Sequence, residues 1–147
     1  MAEAEGSHAA VSAPRGGILR LLPAVLSGLA FWWFLGFVHT VSEIGPAGFT
    51  VPWVPSLGVS FSFRLDGLAL VFALLVTGIG TLILLYASEY FRHHPARNRL
   101  LLILVLFEIS MLGLVVADDI LTLFLFWEGT TITSWLLIGF DHEKADA

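Results

Sequence analysis

Two stretches free of Asp, Glu, Lys and Arg, Leu21–Ser42 and Gly67–Ser88, each run for 22 residues. A membrane-crossing helix needs about 20 predominantly apolar residues. Two more stretches, Leu100–Ala117 and Ile120–Phe140, are each broken by one carboxylate, Glu108 and Glu128. The chain is 57% hydrophobic and 13% charged, against an apolar share of about 45–50% in soluble domains. These patterns predict an all-α integral membrane fold with about four transmembrane helices, at roughly 18–40, 65–91, 99–117 and 120–140.

Residues 1–17 are small and polar, rich in Ala, Gly and Ser, and read as a flexible tail that cannot bury a core. Residues 18–147 then form the membrane domain. The first apolar run exceeds the length of a signal-peptide core and lacks a following small-residue cleavage site, so it reads as a span. Between the first two spans, Pro46, Pro52 and Pro55 break helices while Val59, Phe61 and Phe63 alternate with Ser60 and Ser62. That segment is expected to be a surface loop with a short extended piece.

Positive residues near span ends stay on the cytoplasmic side. Arg15, Arg20, Arg92, Arg97, Arg99 and Lys144 fall on one side of a four-span arrangement, and Arg64 alone falls on the other. Both termini are therefore expected to be cytoplasmic. The external side collects Glu43, Asp66, Asp118 and Asp119, and a short turn there makes the third and fourth helices antiparallel neighbours. Ala69, Ala73, Thr77 and Thr81 form a small-residue stripe on the second helix, suited to close helix packing.

Glu128 has eight uncharged residues before it in its span, which places it roughly 12 Å from the external end at about 1.5 Å per residue. Glu108 lies at similar depth in the neighbouring helix. An intramembrane carboxylate costs about 2.5–3.5 kcal/mol on insertion scales and is a functional candidate by default. A proton relay is the chemistry these groups suit, Glu108 more weakly than Glu128. If both faced the same helix contact they could share a proton, and the plain alternative is that each only hydrogen-bonds a neighbour.

Thr131, on the same helical face as Glu128, could extend a hydrogen-bond path or bond back to a carbonyl one turn earlier. Asp118 and Asp119 read first as caps of the fourth helix and second as an external proton or cation funnel. Arg64 and Asp66 bracket the entrance of the second helix and could pair with each other or with the loop. His93 and His94, adjacent in a basic connector, read as solvated. With no cysteine there is neither disulfide nor thiolate metal ligation, and no cofactor, metal or nucleic-acid partner is expected.

Two segments, FSFRLDGLALVFALLVTGIGTLILLYASEYF and MLGLVVADDILTLFLFWEGTTITSWLLIGFDHEK, resemble the N-terminal part of the large, A-type component of Mrp-type sodium/proton antiporters. The same family includes antiporter-like subunits of respiratory complex I and of membrane-bound hydrogenases. The resemblance implies a multi-pass protein of the cell membrane and assigns Glu128, after Trp127, to the proton pathway. In the family this glutamate pairs with a lysine on a later, broken helix, and no lysine lies within the spans of this chain. The Arg64–Asp66 segment matches a helix-entrance signature, and Glu108 falls where relatives are expected to carry an uncharged residue.

The resemblance implies a component of a multisubunit Na+/H+ antiporter, incomplete on its own: a piece of a split large component, a truncated product or a small accessory one. Its partners would be the lipid bilayer, other antiporter subunits or the missing remainder, protons and Na+. Two alternatives stand beside it. One is a proton-translocating membrane-arm component of a quinone reductase or hydrogenase, and the other is a structural membrane protein without transport activity.

Overall fold

The computed structural model describes residues 15–140, with side chains from residue 20 onward. The expected tail and Lys144 thus lie largely outside the described residues. The described residues form four α-helices: α1 (Arg15–Glu43), α2 (Gly67–Tyr90), α3 (Arg97–Val115) and α4 (Ile120–Ile138). All four are long and apolar enough to cross a membrane. They pack in chain order, α1 on α2, α2 on α3 and α3 on α4.

Local chemistry sets the helix starts. Asp66 caps α2, its carboxylate accepting from Ala69 N at 2.8 Å, so α2 begins at Gly67 rather than at the expected 65. Asp119 caps α4 in the same way through Thr122 N. At its far end α1 runs about one turn past the expected 40, to Glu43. It tolerates Pro23, as membrane helices do when neighbours and local adjustment resatisfy the freed carbonyl.

The small-residue stripe of α2 lies inside the bundle, with Ala69, Ala73 and Thr77 buried. Ala24 of α1, Leu84 and Ala87 of α2 and Leu101 of α3 make one apolar cluster toward the α2–α3 connector. A second cluster joins Leu65, Ala69 and Leu70 to Phe34, Phe37 and Val41 of α1 near the opposite end. Gly113 lets α3 and α4 approach, because a Cβ there would enter the ring of Phe126.

The connection between α1 and α2 is more ordered than a loop with one extended piece. It is an antiparallel hairpin, β1 (Ala47–Val54) and β2 (Val59–Leu65), closed by a 3-10 turn at Pro55–Leu57. Phe49 stacks on Phe63 and Trp53 on Phe61 across the strands, with centroids 5.1 and 5.2 Å apart. Pro52 sits beside an irregularity in the register, between Pro52 and Val54, where a missing N–H is tolerated.

The outer edge of β2 is covered by the α3–α4 turn. Arg64 N donates to Val116 O at 2.7 Å and Asp118 N donates to Ser62 O at 2.9 Å. A strand edge that would otherwise expose unpaired backbone groups is thereby satisfied. The hairpin, the start of α2 and the start of α4 are joined at one end of the bundle.

Candidate intramembrane carboxylate sites

Glu128 follows eight helical residues in α4, so it lies about 12 Å along the helix from Ile120 at about 1.5 Å per residue. The face of α4 turned toward α3 and β2 carries Thr122, Phe126, Gly129 and Thr133: Ser110 of α3 is in reach of Gly129, and Phe126 packs edge-on to Phe63. Glu128 is on the other side, exposed together with Phe124, Thr131 and Trp135. It accepts no hydrogen bond among the described residues. Beside it, and not lined by Glu128 itself, is a shallow depression of about 420 Å³ between Trp127, Thr130, Thr131, Ser134, Trp135 and Ile138.

Thr131 does not reach toward Glu128. Its hydroxyl donates to Trp127 O at 3.1 Å, and Thr130 donates to the same carbonyl at 2.7 Å. Thr133 likewise bonds back to Gly129 O. Such hydroxyls satisfy themselves within the helix.

Glu108 occupies a different environment. It is 9% exposed and is turned toward α1 and α2, where Ser27 Oγ lies 2.5 Å from its Oε1. Ser27 Oγ also lies 3.1 Å from Thr77 O and 3.0 Å from Thr81 Oγ1. Gly80 provides the room: a Cβ there would sit 2.8 Å from the carboxyl carbon of Glu108. Glu108 and Glu128 therefore do not meet, and the shared-proton contact is not formed. The reason is rotational, since α3 directs Glu108 to its α2 side while α4 packs on another face of α3.

Sequence reasoning did not single out Ser27 or Gly80. A serine in an apolar helix is uninformative until its facing partner is known. Thr77 and Thr81 were visible as packing positions, and they also supply the hydroxyls and carbonyl of this cluster.

At the external end the acidic residues divide their work. Asp119 accepts from Thr122 N at 2.8 Å, Thr122 Oγ1 at 2.6 Å and Ser62 N at 2.8 Å. The Thr122 hydroxyl and backbone N–H foremost, with Ser62 N–H adding to them, hold the Asp119 carboxyl down to about 2. Asp118 pairs with Arg64 at 3.5 Å. The expected alternative, an Arg64–Asp66 pair, gives way to this one, and Asp66 serves as the α2 cap. His94 Nδ1 accepts from Ala96 N in the α2–α3 connector, and no three His, Cys, Asp or Glu side chains gather into a metal site among the described residues.

Comparison with known proteins agrees with this architecture. Residues 52–100, covering the end of the hairpin, α2 and the start of α3, match the family model "NADH-Ubiquinone oxidoreductase (complex I), chain 5 N-terminus". The chain is 41% identical over 133 residues to the A component of the Na+/H+ antiporter of Alkalihalophilus pseudofirmus, a match covering 88% of this chain and 16% of that protein. It is 39% identical over 123 residues to the A1 component of the Na+/H+ antiporter of Staphylococcus haemolyticus, covering 84% and 15%. The A/B component of a probable K+/H+ antiporter of Rhizobium meliloti is 37% identical over 130 residues, covering 80% and 13%.

Among solved structures, a chain of the Mrp complex from a Dietzia species superposes with a TM-score of 0.72 and 34% identity, covering 86% of this chain and 14% of that one. The four apolar helices and these relatives make this a multi-pass protein of the cell membrane. On sequence and fold alike, the chain is a homologue of the A-type component of Mrp-type Na+/H+ antiporters, and it spans about a sixth of the length of the curated relatives it matches.

Proposed function

We propose that this chain is a component of a multisubunit monovalent cation/proton antiporter, exchanging Na+ for protons, and that it contributes Glu128 to the proton pathway. The observation that carries the reading is the position of Glu128: deep in an apolar helix, on an exposed face that packs against none of the described residues. A carboxylate at that depth needs protein or trapped water beside it. The partner is supplied by other antiporter subunits or by the rest of a longer polypeptide, which would lie against Phe124, Glu128, Thr131 and Trp135. Alone the chain is incomplete as a transporter. The excess of arginine at the α2–α3 connector supports an orientation with that connector and both termini in the cytoplasm and the hairpin outside.

A redox-driven membrane arm is the second reading, favoured by the match to the complex I chain 5 model. Everted vesicles holding the assembled complex separate the two. Na+ added to respiring vesicles should collapse part of the imposed pH gradient, and vesicles without this chain should not respond. Absence of any Na+ or K+ response, together with copurifying redox subunits and quinone-dependent proton movement, would replace the antiporter reading with the second.

A further inference from the structure

The Glu108 cluster is independent of the face that carries Glu128. Three helices meet there, and each contributes: Ser27 from α1, Thr77, Gly80 and Thr81 from α2, and Glu108 from α3. Proton counting shows that the cluster has two complete arrangements. Thr77 Oγ1 is committed to Ala73 O at 2.7 Å, and Thr81 Oγ1 lies 2.7 Å from Thr77 O. Ser27 has one hydroxyl proton and two possible acceptors, Thr77 O and Glu108 Oε1. With the carboxyl ionised, Ser27 donates to Glu108. With it protonated, the acid can donate to Ser27, which then donates to Thr77 O, and Thr81 can serve either oxygen.

The second oxygen of Glu108 has no donor in either arrangement, and both carboxyl oxygens lie against Gly80. A carboxylate that lines an apolar groove with one donor for its two oxygens is a poor anion site and a good site for an acid. No other titratable side chain lines the space around it among the described residues. Leu75, Val76, Ile79 and Ile83 of α2 and Leu104 and Phe107 of α3 form an apolar groove of about 230 Å³ with Glu108 at its floor. From α1 only Ser27 reaches the carboxyl, and α4, beyond α3, carries its own carboxylate on the face turned outward.

We propose that Glu108, with Ser27 and Thr81, forms a second proton-holding site in the bundle, separate from Glu128 and reached from the bilayer through the α2–α3 groove. The site takes neutral, membrane-dissolved carboxyl reagents. A hydrophobic carbodiimide is the probe: the acid O–H adds across one N=C bond, the proton goes to nitrogen and the carboxylate oxygen to the central carbon. The O-acylisourea then rearranges to a stable N-acylurea with every atom of the reagent retained. The inference does not depend on antiport activity.

The test uses the full chain in its native membranes, treated with dicyclohexylcarbodiimide or with a charged, water-soluble carbodiimide, and peptide mass analysis. The expected result is an adduct at Glu108 from the hydrophobic reagent, at least tenfold more than from the charged one, and none at this position in Glu108→Gln. Equal labelling by both reagents, or no adduct at Glu108, would overturn access through the groove. Infrared difference spectra of wild type against Glu108→Gln test proton holding separately. A carboxylic-acid carbonyl band that is lost in the variant, shifts in heavy water and moves in frequency in Ser27→Ala is expected. A difference spectrum holding carboxylate bands alone would overturn the proposal.

Discussion

Removing the Asp119 carboxylate withdraws the acceptor from Thr122 N–H, Thr122 Oγ1 and Ser62 N–H together. Asp119→Ala should therefore lower the melting temperature of the detergent-solubilised protein clearly more than Asp118→Ala. The latter loses only a half-exposed ion pair with Arg64, worth about 0–1 kcal/mol. The sign of the pH effect follows from the depressed carboxyl. Its contribution is fully present above the unfolded value of about 3.9 and is lost as pH falls toward about 2. Wild-type stability should drop across that window by more than that of Asp119→Asn, whose amide does not titrate there, and circular dichroism melts at pH 5 and pH 3 compare them.

Caps of this kind were legible in the sequence, because acidic residues just before an apolar helical run have few other uses. The direction in which Glu108 and Glu128 point was not. Depth along a helix follows from counting residues, whereas rotation about the axis depends on which face finds a partner, and Gly80 and Gly113 leave the room that Glu108 and Phe126 occupy. Gly113→Ala should push Phe126 aside and cost about 1–3 kcal/mol, the usual range for an overpacked contact, read as a lower melting temperature with transport reduced in proportion to the amount folded.

Helices and hairpin differ in how far local sequence specifies them. The four spans declare themselves by length and by the scarcity of charge, two free of it and two carrying one carboxylate each, and only their ends move, by a few residues. In the hairpin, the alternation of Val59, Phe61 and Phe63 announces β2, but β1 contains Pro52, which argues against a strand. It is tolerated at the register irregularity. What fixes the hairpin in place is not local at all: Ser62 N donates to Asp119 and to Thr122 Oγ1, and Ser62 O accepts from Asp118 N. Ser62→Pro removes that N–H and should release β2 from the α3–α4 turn. Limited proteolysis of intact cells should then cut between residues 47 and 65 several-fold faster than in wild type, while the four spans stay protected.

At the scale of the whole molecule, the absence of native cysteine makes orientation straightforward to measure. A membrane-impermeant maleimide applied to intact cells should label Ser56→Cys in the hairpin turn and leave Asn98→Cys at the start of α3 unlabelled until the cells are opened. The reverse pattern would invert the proposed topology. Most of the apolar surface of the four helices stays exposed in the isolated chain. Lipid covers much of it, but the α4 face is not purely apolar, since Glu128 and Thr131 lie among its rings. That mixture is what a helix presents to protein rather than to acyl chains, and it ties the proposed function to assembly.

A place for Glu128 in the proton pathway is tested by Na+-driven proton transport in the assembled complex carrying Glu128→Gln. Copurification of the other subunits would verify assembly beside wild type. The variant should assemble and insert normally while transport falls to background. Transport at the wild-type rate in a fully assembled Glu128→Gln complex would contradict that place in the pathway.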